Sequence, residues 1–186
     1  MKSSEESRRR VLDASLTLVA RSGVRSVSFR EVARLAGVSH QTPYHHFGSA
    51  QGILHALAEE GFAGLTAAME GAASHAGPDP LEALTAAGVA YVKFADAHPG
   101  HFRVMFQRPA DAAPEPLPAA MRTHATLERL TGAAHTAGHG AALPVGVLVD
   151  VCWAVVHGIA SLRAEGHQPV DADATRVVEG LGRLLR

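Results

Sequence analysis

The chain has 186 residues, 47% hydrophobic and 19% charged, which suits one substantial core or two small domains and excludes a disordered chain. Its net charge of -1 favours no polyanionic partner as a whole, but residues 1–50 hold eight Lys and Arg against four acids, while residues 51–186 hold nine against fourteen. Cys152 is the sole cysteine, which excludes an intramolecular disulfide or a cysteine-based zinc finger and points to a reducing, cytoplasmic setting.

The N-terminal MKSSEESRRR lacks the apolar run of a secretion signal and reads as mature protein. Apolar residues then recur at three- and four-residue spacing, and no stretch alternates Val, Ile and Thr as a strand would, so the class is all-α. Ser3 and Glu6 form a possible capping box for a first helix with Leu12, Leu16 and Val19 on one face, ended by Gly23. Ser28 with Glu31 opens a second helix carrying Val32, Leu35 and Ala36, and Gly37 can leave it in a left-handed conformation. Ser39 is expected to cap a third. Two short helices around Ala36-Gly37-Val38-Ser39 have the sequence form of a helix-turn-helix, with Val38 between them and Phe47 closing the core behind.

A long Ala-rich helix is expected from Ser49 to His75, broken by Gly77-Pro78-Asp79-Pro80. The next runs from Pro80 to His98 with Leu81, Leu84, Gly88, Tyr91, Val92 and Ala95 along one stripe, then a short aromatic helix covers His101 to Gln107. A Pro-rich loop spans Pro109 to Pro118. Three helices follow, from Leu117 to Ala137, Pro144 to Ala164 and Asp171 to Arg186. Ala141 to Leu162 is about long enough to cross a bilayer, but Asp150 and His157 argue for a soluble helix buried on one side by its own core and on the other by a second subunit.

The second helix of the helix-turn-helix, VSHQTPYHHF, is polar and mostly uncharged, suited to base edges, while its basic neighbours suit phosphates. Gln41 can pair bidentately with adenine, Thr42 can hydrogen-bond or offer its methyl to thymine, and His40 can meet a purine edge. Tyr44, His45 and His46 suit phosphate or sugar. Pro43 falls in the first turn, where its missing N–H costs little. A metal site is a poor reading, because the adjacent His45 and His46 project about a hundred degrees apart and no acid or cysteine lies nearby.

On these residues, ARSGVRSVSFREVARLAGVSHQTPYHHFGSAQGIL resembles the DNA-binding region of the tetracycline-repressor (TetR) family of transcriptional regulators. The resemblance implies Ser28 and Arg30 near the backbone or groove, His40, Gln41 and Thr42 at base edges, and Tyr44 and His46 at phosphates with His45 beside them. Ala50 departs from the family, which commonly has lysine there. Arg8 to Arg10 or Lys2 are the expected compensation. Trp153-Ala154-Val155-Val156-His157-Gly158, with DAHPGHFRVMF upstream, also resembles a subgroup whose ligand domain carries Trp-x-x-x-His-Gly.

Trp153 and His157 are four apart and share a helix face, as do Phe94 and His98; with Phe102, Met105 and Phe106 they could line an apolar pocket with polar handles. The plainer reading is a packed core with both histidines satisfied by backbone carbonyls. His98 and His101, with Asp96, are the best metal candidates, though Pro99-Gly100 breaks the face they would share. The last helix shows Val177, Leu181 and Leu184 beside Val178 and Leu185, with Gly180 and Gly182 allowing close approach, which suggests a homodimer through the two C-terminal helices.

The expectation is therefore an N-terminal helix-turn-helix domain at 1–50 that binds duplex DNA. A long helix joins it to a helical-bundle domain at 51–186 for ligand binding and dimerisation. The activity is that of a repressor released by a small-molecule effector, with no enzymatic step, metal or cofactor. The alternative is a metal-dependent enzyme or metalloprotein using the His-rich C-terminal domain, which no Ser-His-Asp, phosphate-loop or HExxH spacing supports.

Overall fold

The computed structural model describes residues 2–107, 117–167, 173 and 175–186, and among these the repeating structure is helical, with no strand. In order the helices are α1 (Lys2–Ser22), α2 (Phe29–Ala36), α3 (Gln41–Phe47), α4 (Ala50–His75), α5 (Pro80–Ala97), α6 (Pro99–Met105), α7 (Pro118–Thr136), α8 (Val145–Ala164) and α9 (Thr175–Leu184), with a 3-10 turn at Val24–Ser26. The described residues divide into two compact units, the first up to Gly61 with His98 to Gln107, the second Phe62–Ala97 with those from 117 onward. The division falls inside α4.

The first unit packs α1 against α2, α3 and α6. Val11, Leu12, Val19, Val32, Ile53 and Leu57 are each at most 1% exposed, and burying such a side chain contributes roughly 1.5–3 kcal/mol. Ser28 caps α2 as its spacing predicts, its hydroxyl accepting the Glu31 N–H at 3.4 Å. Gly37 leaves α2 at φ 62° and ψ 40°, and Val38 N–H closes the turn on the Ala33 carbonyl at 3.1 Å. A Cβ at Gly37 would suffer both that left-handed backbone and the Arg10 guanidinium 2.9 Å away.

Several boundaries differ from expectation. Ser3 lies inside α1 and not at its cap, because the helix already runs from Lys2. Ser39 is not the cap of α3: His40 holds that position, and the Ser39 hydroxyl turns to the Thr42 hydroxyl at 2.8 Å, while its carbonyl accepts the Thr42 N–H at 3.0 Å. Ser49 does receive the Gly52 N–H at 2.9 Å at the start of α4. Helix α5 stops at Ala97, because Pro99 disfavours helical backbone at His98 and itself opens α6, two residues ahead of the expected aromatic helix. The expected loop from Pro109 and the expected helix start at Asp171 lie outside the described residues.

In the second unit α5 is central, packing on α7, α8 and α9. Asp79 opens it by accepting the N–H groups of Leu81 and Glu82 at 2.8 and 3.2 Å, and those bonds hold its carboxyl below the usual range. The expected stripe is buried at Leu81, Leu84, Tyr91, Val92 and Ala95. Gly88 lets two helices close in, since a Cβ there would come within 2.8 Å of Val178 and 3.3 Å of Val156. Gly182 of α9 faces Thr85 of α5 and so serves packing within the chain, not an approach between subunits.

By length and composition α8 is the one described helix apolar enough to cross a bilayer. It buries Leu148, Val149, Cys152, Val156, Ile159 and Ala160 and packs on α5 and α7. Val145, Val147, Trp153 and Leu162 on the same helix remain exposed in the single chain.

Candidate nucleic-acid interface

Helix α3 is seated from inside the first unit. Pro43, its third residue, is fully buried in the first turn, where its missing N–H breaks no helical bond. Behind it, Arg10 of α1 donates to the carbonyls of Ala36 and Gly37, fixing the end of α2 at the turn and placing a cation at the negative pole of that helix. Tyr44 meets Phe29 of α2 edge-on, with ring centroids 6.0 Å apart, yet is 61% exposed.

The polar face that results is a shallow depression lined by Ser4 and Ser7 of α1 and by Ser39, Gln41, Thr42, Tyr44, His45 and His46. Five of the expected DNA residues thus share one surface. His40 is exposed at the start of α3, Ser28 is exposed but has its hydroxyl engaged in the cap, and Arg30 is exposed one residue into α2. Thr42 has one hydroxyl partner in Ser39, and its hydroxyl keeps further hydrogen-bonding capacity beside its methyl. Ser4 and Ser7 are additions that the sequence did not signal, because nothing in their spacing places the start of α1 beside α3.

The expected compensation for Ala50 is not what Arg9 and Arg10 do. Arg9 bridges Asp13 and Glu60, each at 2.7 Å, and these acids raise its affinity for the proton against the burial that lowers it. Arg10 holds the end of α2, and Arg8 lies over the Phe47 ring at 5.3 Å. Glu60 also meets His101 Nε2 at 3.1 Å, so one carboxylate of α4 ties α1 to α6.

The seven expected ligand residues are divided between the units. His98, Phe102, Met105 and Phe106 fall in the first, where Phe102 and Phe106 have ring centroids 5.1 Å apart and Phe102 and Met105 are buried. Phe94, Trp153 and His157 fall in the second, Phe94 with its ring against Gly64 of α4. Phe94 and His98 do not share a helix face, since α5 ends between them.

Trp153 and His157 do, with ring centroids 5.8 Å apart. Nor is His157 satisfied by backbone carbonyls: its Nδ1 lies 3.0 Å from the Tyr91 hydroxyl and its Nε2 3.4 Å from the Ser161 hydroxyl. A consistent assignment has the Tyr91 hydroxyl donating to Nδ1 and Nε2–H donating to Ser161. Burial pushes the Tyr91 hydroxyl well up and the His157 imidazole down, keeping both neutral. Among the described residues no three His, Cys, Asp or Glu side chains converge as metal ligands, and Asp96 instead accepts Arg163 at 3.0 and 3.2 Å.

The comparisons agree along the chain. Residues 11–57 match the model for bacterial regulatory proteins of the tetR family, and residues 84–185 match the tetracyclin repressor-like C-terminal domain. Among solved structures, a protein of unknown function from Rhodococcus sp. RHA1 is similar at 33% identity and TM-score 0.79, covering 96% of this chain and 93% of that one. The TetR-family regulator PfmR from Thermus thermophilus has the same fold at 24% identity and TM-score 0.74, covering 95% and 96%. The fatty acid degradation regulator FadR from Bacillus halodurans shares it at 17% identity and TM-score 0.77, covering 96% and 94%. The comparison with curated proteins returns no match. With a helix-turn-helix at one end, a matched C-terminal domain over more than half its length and a shared fold throughout, this chain belongs to the TetR family of bacterial transcriptional regulators.

Proposed function

We propose that the chain is a cytoplasmic homodimeric repressor that reads a specific operator through α3 and is released by a small molecule bound in residues 51–186. The observation that carries the reading is the depression in which Gln41, Thr42, Tyr44, His45 and His46 converge without an acid among them. Residues 1–50 act as the DNA-binding part. His40, Gln41 and Thr42 face base edges, while Ser28, Arg30, Tyr44, His45 and His46 hold the backbone. No enzymatic step enters this reading.

Dimerisation is supported by the apolar side chains that α8 and α9 leave exposed in one chain, among them Val147, Trp153, Leu162, Val177 and Leu184. Two reading helices then fit two half-sites only at a matching groove separation, about 34–36 Å or a multiple. Effector contact is proposed for Phe94, Trp153 and His157 of the second unit, the last two in the Trp-x-x-x-His-Gly motif, and for His98, Phe102, Met105 and Phe106 of the first, and binding would favour another separation. DNA affinity then falls by the same coupling factor. Helix α4 is continuous through both units, so it carries the pivot.

Footprinting on the DNA flanking the reading frame, with a salt titration, tests the reading. A protected, sequence-specific site is expected, and sequence-independent binding alone would sink it.

A further inference from the structure

We propose that Arg10 is the positioning residue of the reading helix: from α1 it sets where α3 lies, and sequence-specific binding depends on it without its guanidinium touching DNA. The inference rests on the DNA-reading role of α3 and adds the residue that keeps that reading in register. Helix α3 has seven residues and α2 has eight, and helices this short hold no fixed place by their own stability. Their neighbours place them.

The turn between the two helices is the point of control. Gly37 ends α2, and Val38, Ser39 and His40 are all that separates it from the first residue of α3. The carbonyls of Ala36 and Gly37 lie at the C-terminal end of α2, where backbone acceptors run out of partners within the helix. Arg10 Nη2 donates to both of them, at 3.0 Å to Gly37. One nitrogen thus supplies two hydrogen bonds and a positive charge at the negative pole of α2. Gly37 makes the approach possible, because a Cβ there would stand 2.9 Å from that same nitrogen. The guanidinium occupies the space that a side chain would fill.

The anchor has a firm base. Helix α1 runs for 21 residues, and Arg9, next to Arg10, bridges Asp13 on α1 and Glu60 on α4. Adjacent residues of a helix project about a hundred degrees apart, so α1 is tied to α4 on one side and to the turn on another. Ser4 and Ser7 of α1 also form one wall of the polar depression, and Gln41, Thr42, Tyr44, His45 and His46 of α3 form another. Arg10 follows Ser7 by three residues, nearly one helical turn, and holds the two walls in register from outside the lining.

That register matters more for bases than for phosphates. A hydrogen bond to a base edge tolerates a displacement of only a few tenths of an ångström, whereas attraction to the backbone charge reaches over roughly 8–10 Å. Loosening the turn therefore costs specific binding more than non-specific binding. Arg10 is exposed over much of its side chain, so direct contact with a phosphate is the rival role. Salt dependence separates the two.

The test compares wild type, R10M and R10K by fluorescence anisotropy on the operator duplex and on a scrambled duplex of the same composition, each across a salt series. R10M keeps the apolar stem and removes the donors, while R10K keeps one cationic nitrogen that can serve both carbonyls. R10M should bind the operator about tenfold more weakly or worse, change by less than about threefold on the scrambled duplex, and keep the slope of log K against log salt. R10K should recover most of the loss. Hydrogen exchange of the free protein should quicken from Val38 to Phe47 in R10M and stay unchanged in the middle of α1, a readout that needs no operator. Unchanged operator affinity in R10M overturns the proposal, as do equal losses on both duplexes with a slope lower by about 0.9, the mark of a lost phosphate contact. Quickened exchange throughout α1 makes Arg10 a general stabiliser and overturns it too. Absence of specific binding by wild type overturns the DNA-reading role itself.

Discussion

Helix α3 and helix α8 use histidine in opposite ways. On α3, His45 stands exposed on a face whose neighbours are serines, Gln41 and Tyr44, its ring edge-on to that of His46 at 5.4 Å. On α8, His157 is already held by Tyr91 and Ser161 and lies tilted against the Trp153 ring, with burial opposing its charge. His101 of α6 is likewise pushed down by burial, partly opposed by Glu60. The difference teaches that one residue type is available for recognition where its polar atoms face solvent and serves architecture where they are consumed.

The contrast breaks most severely through the C-terminal packing. Leu148, fully buried in α8, should cost about 2–5 kcal/mol when changed to alanine, through lost burial and the cavity left behind. Denaturant unfolding followed by circular dichroism checks this; a loss below about 1 kcal/mol would mean that α8 is not a core helix.

A smaller effect comes from pH. Because His157 and His101 have depressed affinity for the proton when folded, their stability contribution is present above the ordinary imidazole value near 6.5. It falls as the unfolded chain takes up protons that the folded chain refuses. Denaturant midpoints should therefore drop between pH 7.5 and 5.5, and H157Q should flatten part of that drop. An unchanged slope in H157Q would assign the effect elsewhere. Smaller still, Ser28→Ala should cost about 1 kcal/mol by freeing the Glu31 N–H at the start of α2.

The parts legible in the sequence are those fixed by near neighbours. Ser28 with Glu31, Gly37 after α2, and the breaks near Gly23 and Gly77 each act over a few residues, so their positions carry the structure directly. Family likeness added the role of α3. Ser39 misled because a serine before a helix has two local options, and here its hydroxyl takes Thr42 in place of a backbone N–H.

What stayed illegible depends on residues far apart in the chain. Tyr91 and His157 are separated by 66 positions, Arg9 and Glu60 by 51, and Arg10 and Ala36 by 26. No periodicity announces such pairs, so the arginines could be read as phosphate ligands until their partners were placed. The break at His98 was visible in Pro99, but its consequence, the loss of a shared face with Phe94, needed the backbone.

The most direct measurement of the central claim is binding selection from a randomised duplex library, run with wild-type protein and with Gln41→Ala. Wild-type protein should enrich an inverted repeat with half-sites one helical turn or a multiple apart, and Gln41→Ala should relax preference at one position in each half-site. No enriched motif, or a motif unchanged by Gln41→Ala, would contradict the reading of α3 as the helix that recognises bases.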